Sequence, residues 1–164
     1  MTAPDLISLG EPLVEFNQLP EDDLYKAGFG GDTSNTAIAA ARQGAAVGYL
    51  TAIGEDQFGA RLLDLWRAEG VDASRVKRDA AAPTGIYFVT HDATGHQFHY
   101  YRAGSTASRM TPADLPLDYL RAAKYLHVSA ISQAISENAC AAVIAAMDLA
   151  RGAGLRVCFE TNLR

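Results

Sequence analysis

The sequence predicts an α/β protein in which a parallel sheet is covered by helices on both faces and an antiparallel hairpin stands to one side. Three observations carry that expectation. Short apolar runs stopped by glycine alternate with helical patterns from residue 5 to 70 and again from 124 to 159, the rhythm of βαβ units. Gly30 and Gly31 precede a helical stretch built of small residues, as at a ligand-cradling turn. In the middle of the chain, Thr84 to His91 and Gln97 to Arg102 are strand-like runs joined by the turn-rich Asp92-Ala93-Thr94-Gly95.

In order, Asp5 to Leu9 is a short, mostly buried strand stopped by Gly10, and Leu13 to Phe16 a second one. A polar stretch with Pro20 follows. Thr33 to Gln43 is helical, with Ala37, Ala40 and Ala41 as a small-residue face and Gly44 at the C-terminal cap. Val47 to Ile53 is a strand. Gly54-Glu55-Asp56 opens a helix whose Phe58, Leu62, Leu65 and Trp66 fall on one face before Gly70. In the hairpin, a four-residue loop sets His91 against His96, Val89 against Phe98 and Tyr87 against Tyr100, with Arg102 on the same face and Tyr101 on the other. Thr111-Pro112 starts a short helix, Lys124 to Val128 is a strand, and Ser136 caps a long helix with Ala139, Val143, Met147 and Ala150 inward. Arg156 to Phe159 is the last strand, so Glu160-Thr161-Asn162-Leu163-Arg164 stands at a carboxyl end, where α/β sheets gather ligand groups.

Composition narrows the function. With 49% hydrophobic and 20% charged residues the chain can build one sizeable core, and its net charge of −5 without basic runs makes nucleic acid and anionic membrane poor partners. No apolar run is long enough to span a bilayer and the N-terminus lacks the pattern of a secretion signal, so the expected setting is cytoplasmic. Cys140 and Cys158 are read as buried, inert thiols. The motifs G-x-x-x-x-G-K-[ST], G-x-G-x-x-G after a strand, G-x-S-x-G and H-E-x-x-H are absent. His91, His96, His99 and His127 are mostly clustered on the hairpin, where they are read as solvated edge residues, and no metal site is assigned to them.

Two groups of residues carry chemistry. Gly30 to Asn35 brings backbone donors, a carboxylate and an amide to a helix start, although Asp32 also fits a first-turn acid and Asn35 a turn amide. The hairpin face of Tyr87, Tyr100 and Arg102 suits a polyol that carries a carboxylate, with aromatic packing as the competing explanation.

Gly30-Gly31, Asn35-Thr36-Ala37, Gly44 and Gly54 stand at the offsets of the N-terminal signature of the PfkB, or ribokinase-like, carbohydrate kinases, which the chain resembles throughout its length; Thr33 departs from the small residue common there. Within that family it is most similar to 2-keto-3-deoxygluconate kinases, through Gly-Gly-Asp-Thr-Ser-Asn-Thr-Ala at 30 to 37, Ile-Gly-Glu-Asp-Gln-Phe-Gly at 53 to 59 and Glu-Gly-Val-Asp at 69 to 72. Thr84-Gly85-Ile86-Tyr87, Phe98-His99-Tyr100-Tyr101-Arg102 and Asn162-Leu163-Arg164 extend the match. The resemblance implies a Rossmann-like core with a small β-sheet lid, spanning about 11–29 and 84–104, and transfer of a phosphoryl group from ATP with Mg²⁺ to 2-keto-3-deoxygluconate, giving the 6-phosphate. It further implies that Gly31, Asp32 and Asn35 hold sugar oxygens and that Tyr87, Tyr100 and Arg102 close over the acid sugar. Arg164 would meet substrate or transferred phosphate, Asn162 would lie near the metal and phosphates, and the lid would pair across a homodimer. Glu160 stands where the family's Asp-x-Asn-x-Arg segment has its aspartate.

The family's Gly-Ala-Gly-Asp segment, which supplies the general-base aspartate, has no counterpart here. The expectation is therefore that residues 1–164 form the N-terminal, substrate-binding part of a longer kinase domain, that the C-terminal part is absent, and that the chain alone is inactive. Rivals are a fructokinase or ribokinase, a non-catalytic sugar-binding or dimerising module and, less well supported, an NAD-binding domain.

Overall fold

The computed structural model describes residues 3–20 and 24–162. The first strand, β1 (Leu6–Leu9), leads into an antiparallel pair, β2 (Leu13–Gln18) and β3 (Tyr25–Gly30). The sequence assigned no strand to 25–30; its own composition is weak, and its strand character comes from pairing, with Phe29 opposite Val14 and Ala27 opposite Phe16. Helix α1 (Asp32–Arg42) follows, then β4 (Val47–Leu50) and β5 (Ala52–Gly54). The single strand expected over 47–53 thus divides at Thr51, because β5 leaves the main sheet to pair with β6 (Lys77–Asp79) after α2 (Gln57–Ala68). The hairpin is β7 (Ile86–Asp92) and β8 (Gly95–Tyr101); Asp92 pairs with Gly95, so the loop is two residues, not four, but the expected register holds: Tyr87 faces Tyr100, Val89 faces Phe98 and His91 faces His96. A single 3-10 turn at Pro112–Asp114 stands where a short helix was expected. The remaining elements are α3 (Leu117–Arg121), β9 (Tyr125–Ser129), α4 (Ala130–Ala134), α5 (Glu137–Gly152) and β10 (Arg156–Glu160).

The core sheet has the order β10-β9-β1-β4 and is parallel throughout. Alternation along its strands divides the apolar side chains between two cores. Ile7, Leu9, Leu126 and Val128 meet Val143, Ala146 and Ala150 of α5 on one face, while Val47 and Tyr49 meet Ala37 of α1 and Leu62 and Trp66 of α2 on the other. Each such large side chain is worth about 1.5–3 kcal/mol on burial. The ring groups of Trp66 and Tyr49 are matched: Trp66 Nε1 donates to Ser34 Oγ at 2.9 Å, and the Tyr49 hydroxyl stands 3.0 Å from Thr33 Oγ1 and donates to the Gly10 carbonyl at 3.2 Å.

The second sheet, β3-β2-β7-β8, joins two hairpins through the parallel pair β2 and β7. Cys158, on β10 at an edge of the core sheet among the described residues, is exposed, and Cys140, on α5, is half-buried, which corrects the expectation of two buried thiols. Among the described residues no helix is long and apolar enough to cross a membrane.

Asp56 shows how a cap links the layers. Its Oδ1 accepts from the backbone N–H groups of Phe58 (3.0 Å) and Gly59 (2.8 Å), and its Oδ2 from that of Thr84 (2.8 Å), just before β7. Burial alone would raise this carboxyl, but the bonds from Thr84, Gly59 and Phe58 outweigh it and hold the group below the usual carboxylate range. Asp56→Ala is expected to lower the unfolding free energy by about 1–3 kcal/mol at pH 7. Because the folded-state pKa is depressed, this contribution is present above the unfolded value and fades as pH falls through the folded one. Denaturant titrations at pH 7 and pH 3 should therefore give a larger gap between variant and wild type at pH 7.

Candidate functional site

A cleft of about 650 Å³ opens where the carboxyl ends of β1 and β10 and the N-terminus of α1 face the second sheet. Seven of the eight residues singled out in the sequence line it: Gly31, Asp32, Asn35, Tyr87, Tyr100, Arg102 and Asn162. Arg164, the eighth, lies outside the described residues.

The α1 wall depends on its two glycines. Gly31 is the N-cap at φ 105°, a left-handed conformation, and a Cβ there would lie 2.5 Å from the Glu11 carbonyl oxygen. A Cβ on Gly30 would lie 2.5 Å from the Tyr87 hydroxyl, so its absence lets the tyrosine ring lie against the backbone. Asp32 Oδ1 accepts from the Thr33 N–H at 2.7 Å, as a first-turn acid does, and its Oδ2 accepts from Asn162 Nδ2 at 3.4 Å. That second bond joins α1 to the segment after β10.

On the opposite wall, the Tyr87 and Tyr100 rings stack with centroids 5.5 Å apart, and the Arg102 guanidinium lies 4.8 Å over Tyr100. The Tyr87 hydroxyl donates to Glu15 Oε2, which β2–β7 pairing places directly opposite. Burial and this carboxylate raise the Tyr87 pKa, so the phenol stays a donor. Arg102 Nη1 donates to Glu11 Oε2 at 2.9 Å, and Ser105 Oγ to Glu11 Oε1 at 3.4 Å. Glu11 is only 3% exposed. Burial pushes its carboxyl up to about 7, against the pull of Arg102 and Ser105 and with a small push from Asp32.

Three residues were missed by the sequence. Glu11 and Glu15 line the cleft on either side of Leu13, and His127 is buried on β9, where it bonds Ser8 of β1. Ser8 Oγ donates to the Thr33 carbonyl at 2.8 Å, so it accepts from His127 Nδ1 at 3.0 Å. His127 Nε2 is left 3.7 Å from Glu160 Oε2. Burial lowers the His127 pKa, with Glu160 and Asp32 opposing. Glu160, one methylene longer than aspartate, thus reaches back to β9. Glu11 was legible in one respect, since it stands just past the carboxyl end of the first strand; nothing in the spacing marks His127.

Among the described residues no group of three His, Cys, Asp or Glu side chains is placed to hold a metal ion. The cleft can grip a polyhydroxylated ligand between backbone and amide donors on α1, phenols and a guanidinium on the second sheet, and carboxylates that accept from sugar hydroxyls.

A parallel α/β core with a second, smaller β-sheet facing the carboxyl ends of its strands is the arrangement of ribokinase-like α/β proteins. Solved structures agree: the PfkB protein from Polaromonas sp. JS666 superposes with a TM-score of 0.93 at 36% identity, covering 99% of this chain and 56% of that one. The fructokinase from Xylella fastidiosa with bound ATP gives 0.91 at 26% identity, covering 97% and 49%. The chain matches the pfkB family carbohydrate kinases over residues 5–163 and belongs to that family. It is 38% identical to the 2-dehydro-3-deoxygluconokinase of Thermoproteus tenax, covering 97% of this chain and 50% of the relative, and 36% identical to the fructokinase-2 of Solanum lycopersicum with the same coverage. The chain spans about half the length of the curated relatives it matches.

Proposed function

We propose that residues 1–164 form the sugar-binding part of an ATP-dependent kinase that phosphorylates 2-keto-3-deoxygluconate at its 6-hydroxyl. The observation that carries this reading is Arg102, stacked on Tyr100 in the same cleft as Gly31, Asp32 and Asn35. A guanidinium beside polyol-binding groups suits a sugar acid, because its fork matches a carboxylate. In this reading Gly31, Asp32 and Asn35 hold sugar oxygens, Tyr87 and Tyr100 close over the ring or chain, and Arg164 meets substrate or phosphate. The second sheet, within 11–29 and 84–104, acts as a lid. Asn162 lies near the metal and phosphates; Mg²⁺ would be held mainly by phosphate oxygens and water, in keeping with one or two protein contacts. ATP supplies the phosphoryl group, and an aspartate outside residues 1–164 takes the proton, so the 164-residue chain alone does not turn over. Phe98, Tyr100 and Tyr101 are exposed on β8, an edge strand that suits pairing with a second copy in a homodimer. The setting is cytoplasmic.

A second reading is a neutral ketohexose such as fructose. It is favoured by the carboxylates of Glu11, Glu15, Asp32 and Glu160 lining the cleft against the single described guanidinium of Arg102, which already has a partner in Glu11. A sugar panel assayed with ATP and Mg²⁺ on the full-length protein decides between them. The expected outcome is a kcat/KM for 2-keto-3-deoxygluconate at least about tenfold above that for fructose or ribose. A preference for fructose would replace the first reading with the second.

A further inference from the structure

Glu11 stands in the connection from β1 to β2, and Arg102 directly after β8, so their ion pair joins two of the connections through which the chain passes between the core sheet and the second sheet. The pair is also part of the cleft wall. One of the five guanidinium N–H groups is engaged by Glu11, which leaves donors for a ligand. A ligand carboxylate bound there would share its cation with a buried carboxylate only a few ångströms away.

We propose that Glu11 sets how strongly Arg102 takes a ligand carboxylate: ionised, it occupies Arg102 as an internal counter-ion and repels an anionic ligand, and protonated, it releases the guanidinium to that ligand. This rests on the acid-sugar reading of the cleft. Three features support it. Glu11 is buried yet lines the cleft, so a ligand at Arg102 meets it without intervening bulk water. Arg102 and Ser105 beyond β8 favour its ionised form and Asp32 of α1 opposes it, while Glu15 of β2, which accepts from the Tyr87 hydroxyl of β7, is the further carboxylate of the same cleft wall. Burial has raised its pKa to about 7, so a change of protonation lies within the ordinary working range. A carboxylate raised in this way is neutral below that value and charged above it. Acid-sugar binding should therefore strengthen as pH falls, while the sugar acid itself stays ionised.

The test is calorimetric binding of 2-keto-3-deoxygluconate and of fructose to the full-length protein at pH 6 and pH 8. The ratio of acid-sugar to fructose affinity is expected to be about five- to tenfold higher at pH 6. In Glu11→Gln, which keeps the shape and removes the charge, that ratio should stay high and no longer depend on pH. A merely structural tie would change both affinities together and leave the ratio alone. If both sugars bind with a pH-independent ratio in the wild type, the inference falls by itself, even should Glu11→Gln fail to fold; a pH dependence that survives in Glu11→Gln also overturns it. Binding of fructose alone, or of neither sugar, overturns the acid-sugar reading and this inference together.

Discussion

Arg102→Ala in the full-length protein is expected to lower kcat/KM for 2-keto-3-deoxygluconate about a hundredfold and that for a neutral hexose less than about tenfold, because a charge-assisted bidentate pair is worth roughly 2–3 kcal/mol and only the acid sugar forms one. The variant also strands Glu11, a buried carboxylate. Its charge need not persist there, since burial already raises the pKa to about 7 and loss of Arg102 removes the strongest opposing pull. Thermal melts run beside the kinetics separate the two effects, and Arg102→Lys, with charge but no planar fork, should fall between wild type and alanine. Equal losses for acid and neutral sugars would reduce Arg102 to a tie between the sheets.

Among the glycines with positive φ, Gly31→Ala should produce the largest structural effect of a single added methyl. The backbone there is left-handed, which costs a side chain about 1–2 kcal/mol, and the new Cβ would lie 2.5 Å from the Glu11 carbonyl oxygen and 3.0 Å from Pro12 Cα. Neither contact is the yielding end of a flexible side chain, so the connection between β1 and β2 must move, at a further cost of about 1–3 kcal/mol. Gly44 supplies the control. It has φ 90°, but a methyl added there would meet nothing within 4 Å, so Gly44→Ala carries the conformational cost alone. Denaturant unfolding of the two variants should differ by about the cost of that clash. Equal stabilities would mean that the α1 turn tolerates a side chain. Because the displaced segment carries Glu11, sugar binding should weaken in Gly31→Ala and not in Gly44→Ala.

Local pattern reached much of this fold. The hairpin register followed from the turn residues at 92–95, the start of α2 from Gly54-Glu55-Asp56 and the cap at Ser136 from residue type and position, since each depends on neighbours in sequence. Elements that exist through distant partners were less legible. β3 is a strand because β2 lies beside it, and β5 departs from β4 because Lys77–Asp79 is there to pair with it. The site divides in the same way. Gly31, Asp32 and Asn35 are contiguous, and Tyr87, Tyr100 and Arg102 lie on one hairpin face, so each group was visible as a pattern. Glu11, Glu15 and His127 act through residues 119 positions away in one case and 91 and 72 in the others, and only the assembled sheets bring those partners together.

The parallel pairing of β2 with β7 also bears on how the molecule acquires its native state. Glu15 meets Tyr87 across 72 positions, and α1, β4, β5, α2 and β6 all lie between them. Each hairpin of the second sheet can form locally within about 1–10 μs, but joining them must wait until that long intervening segment has collapsed and closed the loop. The cleft is therefore a late product of folding: neither of its walls is finished until the core that separates them in sequence has brought them together in space.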